Sequence, residues 1–389
     1  MTFNDIKPIK EKLMKKVVLI PDSFKGTLSS SQICEIIGRK VKEYYPDCEV
    51  VSIPVADGGE GSVDCFITAL GGEKVNITAK NPYFEDMNSF YGIIDNANTA
   101  IIEMAACAGL PLVEDRKDPR KTTTYGVGQL VLAAAERGVK KIIVGLGGSS
   151  TNDGGCGAAA AIGVKFFNEK GEKFIPTGGT THEIERIDMS GKADVLNGIE
   201  IITMCDIDNP MYGPTGAAHV FGPQKGADPE MVLFLDEGIK HLSEVIKKDL
   251  KKDLSEIPGT GAAGAMGAGM IAFFDSKLQM GIETVLDTVN FSSVISDADM
   301  IFTGEGKLDY QSLRGKVVIG VAKRARKQNV PVTVIAGGAD NDIDEAYDSG
   351  VTSIFSINRL PEAFEISRHK SVENLTFAVD NILRLIKSI

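Results

Sequence analysis

Short apolar runs that end in polar, glycine-rich segments are the feature that most constrains how this chain can fold. Residues 17–20 and 50–55 are two such runs, and apolar residues at helical spacing follow each of them. A β-branched run that does not alternate with polar residues is typical of a buried strand in a parallel sheet. Strand, loop and helix, twice in succession, predict the start of a doubly wound α/β domain.

The pattern changes after residue 72. Three strand-like runs, residues 74–79, 89–94 and 99–104, are joined by turn residues, which predicts an antiparallel meander. Alternating strands and helices return near residue 289 and continue to the C-terminus. We therefore predict a discontinuous doubly wound domain and an inserted second α/β domain with a mixed sheet. Their predicted limits are residues 1–72 and 289–389 for the first and residues 73–288 for the second.

Charge and cysteine usage exclude several classes of protein. The 389 residues include 42 Lys and Arg against 53 Asp and Glu, a net charge of −11, which gives no basic footprint for nucleic acid. The six cysteines form no CxxC pair, so neither a zinc site nor a disulfide framework is expected. The N-terminus has no apolar signal segment, and residues 261–274 are too few to span a bilayer. We expect a cytoplasmic protein without nucleic-acid or membrane partners, and the sequence leaves its oligomeric state open.

Polar, glycine-rich clusters follow predicted strands at five places in the chain. Ligands of open α/β sheets bind outside the C-terminal ends of the strands, so these clusters are expected to form a site. Glycine is abundant, with 42 residues, which favours backbone that approaches a ligand closely. The clusters are residues 21–26, 56–61, 145–153, 205–210 and 303–309.

The cluster at residues 145–157 has the chemistry of a phosphate-binding loop. Its glycines let backbone N–H groups converge, its hydroxyls add donors, and a helix is predicted to begin near Gly154. No Lys-Ser or Lys-Thr pair follows the glycines, so it is not a Walker A loop. The alternative is a tight turn in which Ser and Thr side chains cap the helix. The predicted phosphate-binding residues are Gly147, Gly148, Ser149, Ser150 and Thr151.

Seven segments of the chain resemble the type 1 glycerate kinase family: residues 20–26, 54–62, 145–157, 205–210, 221–227, 259–269 and 303–309. The similarity runs from about Lys15 to the C-terminus. Family members typically begin close to Met14, so residues 1–13 are extra, and we expect them to be dispensable. The resemblance implies ATP-dependent, Mg²⁺-requiring phosphorylation of D-glycerate, with 2-phosphoglycerate as the favoured product. It also implies a flavodoxin-like domain with an inserted second α/β domain, described for the family as restriction-endonuclease-like.

The charged residues of the clusters indicate how such a reaction would run. Phosphoryl transfer uses Mg²⁺ held by carboxylates and phosphate oxygens, and the candidate ligands are Asp57, Asp206 and Glu305. Lys25 would pair with the glycerate carboxylate or the transferred phosphoryl group, and Asp206 or Asp208 would orient the attacking hydroxyl. The alternatives are turn or capping roles for the carboxylates and a solvated surface position for the lysine. We expect the active site to lie in the cleft between the two domains.

Two other classes of function stay open on the sequence alone. Residues 259–264 match the G-x-G-x-x-G pattern of a nucleotide-linked dehydrogenase, but they follow Ile257-Pro258 rather than a strand. We favour close packing of small residues for this segment. A non-catalytic protein that binds a small anion would need the glycine loops, but it gives no reason for the carboxylates beside them.

Overall fold

A computed structural model describes residues 13–56 and 59–388. In chain order its strands are β1 (Lys16–Leu19), β2 (Glu49–Ser52), β3 (Glu73–Lys80), β4 (Asp86–Ile94), β5 (Thr99–Glu103), β6 (Lys141–Gly145), β7 (Lys165–Phe167), β8 (Lys173–Phe174), β9 (Arg186–Asp188), β10 (Glu200–Met204), β11 (Lys277–Gln279), β12 (Met300–Leu308), β13 (Val332–Ala339) and β14 (Val351–Ser356). The α-helices are α1 (Ser30–Tyr44), α2 (Ser62–Leu70), α3 (Ala105–Ala108), α4 (Tyr125–Glu136), α5 (Cys156–Ala161), α6 (Ala217–Phe221), α7 (Pro229–Leu250), α8 (Ala262–Phe274), α9 (Gly281–Thr288), α10 (Phe291–Val294), α11 (Tyr310–Leu313), α12 (Val317–Arg326), α13 (Glu345–Ser349), α14 (Phe364–Ser367) and α15 (Ser371–Ser388).

The chain divides into two compact units. The first runs to Ala56 and resumes at Val285, and the second is the intervening chain up to Thr284. The boundary predicted at residue 72 lies after α2, whereas α2 packs on β4 of the second unit: a Cβ placed on Gly92 would lie 2.9 Å from the Val63 side chain. The first unit is therefore discontinuous, and α2 is described with the second.

A parallel five-stranded sheet forms the centre of the first unit, with strand order β14-β13-β12-β1-β2. Counted along this unit's own chain, the order is 2-1-3-4-5, which is the order of flavodoxin-like doubly wound sheets. The apolar run at residues 17–20 supplies the internal strand β1, in which Val17 pairs with both Met300 and Val50. Ser29 caps α1 through a capping box with Gln32, as the serines near residue 30 predict. The predicted flavodoxin-like fold is confirmed.

A mixed six-stranded sheet forms the centre of the second unit, with order β11-β10-β6-β5-β4-β3. Strands β5, β6, β10 and β11 are parallel, whereas β3, β4 and β5 form the predicted antiparallel meander. A small antiparallel sheet, β8-β7-β9, accompanies it. Buried Val144 and Ile142 of β6 lie in the same core as Phe273 of α8. An inserted α/β unit with a mixed sheet is thus confirmed.

Two glycine-rich segments differ from their predicted structures. Residues 303–308 are not a loop, because β12 continues through Leu308 and pairs with β13 as far as Ala339. Their glycines allow this close approach, since a Cβ on Gly304 would lie 1.8 Å from the Ile335 carbonyl oxygen. The Ala- and Gly-rich segment at residues 259–272, whose composition predicts a helix entered through a loop, forms α8 from Ala262 to Phe274, but three of its residues, 263–265, are left-handed.

No helix in the described part of the chain is long and apolar enough to cross a membrane.

Candidate active site

The loop after β6 has an exposed tip. Gly148 is exposed, adopts a left-handed backbone conformation with a φ of 75°, and accepts a 2.8 Å hydrogen bond at its carbonyl from the N–H of Leu110. Among the described residues, no acceptor is found for the N–H groups of Gly147, Gly148 and Ser149. Gly147 is half-buried and Ser149 is buried, so only the middle one of the three residues is exposed. Three successive backbone donors at such a turn are the arrangement of an anion-binding loop. The predicted phosphate residues Gly147, Gly148 and Ser149 lie together at this tip.

The base of the same loop is held by buried side chains. The Ser150 hydroxyl donates to the carbonyl of Ala108 over 2.9 Å, and the Ser150 carbonyl accepts from the Thr122 hydroxyl over 3.0 Å. Asp153 is fully buried, and its Oδ2 accepts from the N–H and the hydroxyl of Thr124 at 2.8 and 2.9 Å. Burial raises the pKa of the Asp153 carboxyl, and these hydrogen bonds oppose the rise. Ser150 and Asp153 therefore fix the loop to α4 and to the chain that follows α3.

Unpartnered polar atoms lie between the tip and the base. Thr151 and Asn152 are fully buried, and neither the Thr151 hydroxyl nor either amide atom of Asn152 has a partner in the described structure. Nearly all buried polar groups in folded proteins are hydrogen-bonded, so exceptions indicate a missing water, ion or ligand. The loop therefore contains buried hydrogen-bonding atoms that its contacts within the described structure do not satisfy.

Glycines of α8 pack directly on this loop. A Cβ on Gly264 would lie 2.0 Å from the Thr151 carbonyl oxygen, and one on Gly269 would lie 2.4 Å from the Gly154 carbonyl oxygen. The N–H of Gly154 donates to the Gly264 carbonyl over 3.0 Å. No strand precedes Gly259 in residues 251–258, so the dinucleotide fingerprint lacks its structural context. The G-x-G-x-x-G match reflects close packing of small residues, and the dehydrogenase alternative loses its basis.

Asp206 lies two residues after the end of β10, at the predicted C-terminal end of the strand, and contacts the start of a helix. Its Oδ1 accepts a 2.7 Å hydrogen bond from the N–H of Gly281, the first residue of α9. Asp208 lies two residues on and is exposed. The chain directly after Asp208 is fixed by Asn209, whose carbonyl accepts from the N–H of Gly261 over 3.0 Å. Asp206 therefore has a role in the fold, because its carboxylate holds the start of α9.

In the first unit, Lys25 is exposed in the loop that follows β1. The N–H of Asp22 donates to the Gly304 carbonyl over 2.8 Å, which ties the loop to β12. Gly306 lies against the loop backbone, since a Cβ there would lie 3.2 Å from the backbone nitrogen of Lys25. The loop carrying Lys25 and the strand carrying Glu305 are thus neighbours within one unit.

Glu305 is a buried carboxylate of that unit. It is 8% exposed, and its Oε1 has no hydrogen-bond partner in the described structure. The pKa of Glu305 is raised to about 7, mainly by burial and also by the negative charges of Asp22 and Asp309, although a hydrogen bond with Ser312 and the charge of Lys316 oppose the rise. The environment of Glu305 therefore disfavours its ionised form, which a bound cation would stabilise.

The predicted magnesium ligands fit this chemistry in part. An unpartnered, buried Oε1 on Glu305 with two acidic neighbours is an arrangement that a hard cation would stabilise. Asp206 accepts a hydrogen bond from the N–H of Gly281, and a carboxylate in such a contact can still serve as a magnesium ligand. Asp57 lies outside the described residues. In the part of the chain that the structure describes, no group of three or more His, Cys, Asp or Glu side chains could hold a metal ion by itself.

Sequence reasoning missed Glu103, which ends β5. It is 3% exposed, and its Oε1 accepts a 2.7 Å hydrogen bond from the N–H of Val63 in the first turn of α2. A further backbone hydrogen bond comes from Gly61, and burial raises the pKa of the Glu103 carboxyl. Its position at a strand's C-terminal end was a usable signal. Glu103 fixes the chain beside the predicted 56–61 cluster.

Comparisons with known proteins agree with this architecture. The sequence model of the Glycerate kinase family matches residues 17–387. The chain is 44% identical to a glycerate kinase of Bacillus cereus, covering 94% of this chain and 97% of the relative, and 43% identical to a glycerate 2-kinase of Escherichia coli K12, covering 90% and 93%. It resembles a crystal structure of a protein from Salmonella typhimurium LT2 named as a glycerate kinase 2, with a TM-score of 0.85 and 38% identity over 96% of this chain and 99% of that one. The chain therefore belongs to the glycerate kinase family and is a kinase that acts on an alcohol group.

Proposed function

We propose that this enzyme transfers a phosphoryl group from ATP to a hydroxyl of D-glycerate and yields 2-phosphoglycerate and ADP. The observation that supports ATP as the phosphoryl donor is the turn at Gly147–Ser149, where three successive N–H groups lack a protein acceptor in the described structure. The name of the Escherichia coli relative, a glycerate 2-kinase, supports the 2-position as acceptor. None of the six cysteines, all of which lie in the described residues, forms a disulfide, which agrees with the reducing cytoplasm that we propose as the compartment of this enzyme.

In the proposed reaction, the glycerate hydroxyl oxygen attacks the γ-phosphorus, the bond to the β,γ-bridging oxygen breaks, and the hydroxyl proton passes to a carboxylate. Asp206 or Asp208 orients the hydroxyl and takes this proton. The N–H groups of Gly147, Gly148 and Ser149 bind phosphate oxygens. Lys25 binds the glycerate carboxylate or the transferred group, since an exposed ammonium can pair with either anion.

The proposed cofactor is Mg²⁺, and when bound it neutralises phosphate charge during transfer. The residues that we propose to hold it are Glu305, Asp206 and Asp57, with Glu305 supported by its unpartnered buried oxygen. Glu305 would then be ionised at neutral pH, because a bound cation lowers the pKa that burial has raised.

A coupled assay of ADP release with D-glycerate tests the proposal. We expect ADP release that depends on both D-glycerate and Mg²⁺. In the ³¹P spectrum of the product, 2-phosphoglycerate gives a doublet, because one proton lies on the phosphorylated carbon. The 3-phospho isomer gives a triplet from two protons and would contradict the proposed position. Absence of ADP release with D-glycerate would contradict the proposed reaction as a whole.

A further inference from the structure

A fully buried lysine lies beneath the loop at Gly147–Ser149. Lys225 is 1% exposed and ends a short helical turn, Pro223–Lys225, which the left-handed Gly226 terminates with a φ of 99°. Its Nζ donates to the Ser149 hydroxyl over 2.9 Å and to the Thr151 carbonyl over 2.6 Å. One ammonium therefore connects buried Ser149, which follows the exposed Gly148, to the base of the loop at Thr151.

This ammonium has no counter-ion in contact with it. Both of its acceptors are neutral, and no carboxylate of the described residues forms an ion pair with it. Asp153 is the carboxylate whose field reaches it, but that carboxylate already accepts hydrogen bonds from Thr124, Gly155 and Gly157. A buried charge without a partner is unfavourable, and the group responds by losing its charge.

The charged residues that lie near the backbone of Lys225 do not supply a counter-ion for its ammonium. A Cβ on Gly226 would lie 2.6 Å from the Lys117 side chain, but Lys117 is itself cationic and exposed. Asp228, which follows on the other side, caps α7 by accepting a hydrogen bond from the N–H of Met231. Burial accordingly lowers the pKa of Lys225 to about 7, and the field of Asp153 only partly opposes this. Without a ligand, much of Lys225 is therefore neutral above neutral pH.

We propose that Lys225 is the cation of the phosphate-binding loop, and that an anionic phosphate bound at Gly147–Ser149 supplies its missing counter-charge. Binding then adds one proton from solvent to the Lys225 amine. The ammonium strengthens its two hydrogen bonds to Ser149 and Thr151, so the loop is held in its binding conformation. Lys225 is a positioning residue, because it acts through these two residues. This inference rests on the proposed phosphate role of the loop.

The unpartnered atoms of the loop support the same conclusion. The Thr151 hydroxyl and the Asn152 amide lie next to the residues that Lys225 holds, and they have no partner in the described structure. A loop with an uncompensated ammonium and several unsatisfied polar atoms is more favourable once an anion is bound.

Calorimetric titration of the full chain with ADP at pH 8, in two buffers of different ionisation enthalpy, tests the inference. The dependence of the measured heat on the buffer gives the number of protons taken up. We expect uptake of close to one proton per ADP, since about nine-tenths of an amine with a pKa of about 7 is neutral at pH 8. The terminal phosphate of ADP titrates near pH 6 and contributes little at this pH.

Two variants separate the role of Lys225 from a general effect of charge. Lys225→Met should bind ADP at least tenfold more weakly, with no proton uptake, and its affinity should not change between pH 7 and pH 9. Lys117→Met removes the same charge from an exposed neighbour and should bind ADP and take up protons like the original chain.

The possible failures are distinguishable. If Lys225→Met folds and keeps the original affinity and proton uptake, the inference is overturned. If that variant does not fold, the measurement on the original chain is still a sufficient test. ADP binding by the original chain without proton uptake at pH 8 overturns the inference about Lys225 but not the proposed phosphate role of the loop. If the original chain binds no ADP at all, the proposed phosphate role of the loop fails together with it.

Discussion

At the scale of single residues, Asp206 combines a contact in the fold with a proposed role in phosphoryl transfer. We expect Asp206→Asn to lower kcat by about 10²-fold or more, because a positioned carboxylate is lost while the shape is nearly kept. Its stability should be nearly unchanged, since the Asn side-chain oxygen can still accept from the N–H of Gly281. Steady-state kinetics and thermal unfolding measure the two effects.

A magnesium titration of the same variant divides the possible roles of Asp206. Partial recovery of kcat at high Mg²⁺ would indicate a metal ligand, whereas no recovery would indicate orientation of the hydroxyl. Near-normal kcat and KM in Asp206→Asn would contradict both roles and leave only the contact with α9.

Ser149 and Ser150 are adjacent but lie in different surroundings, so single variants distinguish them. Ser149→Ala removes an acceptor of Lys225 next to the exposed Gly148, and we expect the KM for ATP to rise severalfold with little loss of stability. Ser150→Ala removes a buried hydrogen bond to Ala108, and we expect a stability loss of about 0.5–1.5 kcal/mol with a smaller change in KM. The opposite pattern, a kinetic effect at Ser150 alone, would contradict the division of the loop into tip and base.

At the scale of elements, Glu103 connects β5 to the first turn of α2. Burial raises the pKa of Glu103 in the folded state above the ordinary 4.5 of the unfolded chain. At a pH between the unfolded and the folded pKa, the folded state therefore keeps a proton on Glu103 that the unfolded chain has released. Stability from this group is therefore fully present below pH 4.5 and decreases as pH rises through the folded pKa. We expect Glu103→Gln to remove this decrease, because the amide is neutral and keeps an oxygen that can accept from Val63.

Denaturant unfolding of the original chain and of Glu103→Gln across pH 4–8 measures the difference. Glu103→Ala is the matched control, since it leaves the N–H of Val63 without its acceptor and should be about 1–3 kcal/mol less stable than Glu103→Gln at every pH. A stability difference between the original chain and Glu103→Gln that does not change with pH would show that the Glu103 carboxyl is not perturbed.

At the scale of the whole molecule, the hydrophobic pattern predicted the main strands of the two larger sheets, but not β11 or the small sheet β8-β7-β9. Non-alternating apolar runs predicted the parallel strands of the first unit, and the spaced runs over residues 74–104 predicted the meander. The structural role of glycine was ambiguous in the sequence, because glycine is favoured both in loops and where two backbone segments pack closely. Gly304 and Gly264 were each interpreted from their neighbours in the sequence, whereas their roles come from Ile335 and Thr151, which are distant along the chain.

The candidate site was predictable to a similar extent. The position of the phosphate loop follows from its glycines and hydroxyls, but the direction of each hydroxyl depends on tertiary partners such as Ala108 and Lys225. The burial of Lys225 and Glu103 also depends on distant packing, which local sequence does not encode. The location of the active site in a cleft between the domains stays a prediction.

The N-terminus gives the last test of the whole fold. Residues 1–12 lie outside the described residues, Leu13 is exposed, and Met14 is buried in the core of the first unit. The N–H groups of Lys15 and Lys16 both donate to Asp299 Oδ2, at 2.6 and 2.9 Å, just before β1 begins its pairing. We therefore expect a chain that starts at Met14 to keep its activity and its Tm within about 2 °C, because it keeps these contacts. A chain that starts at Val17 loses Met14 and both hydrogen bonds and should unfold several degrees lower, since about 1 kcal/mol corresponds to roughly 2–4 °C in a domain of 150–250 residues. Thermal unfolding of the two truncated chains beside the full one measures this, and an equal loss of Tm in both would show that residues 1–13 stabilise the fold.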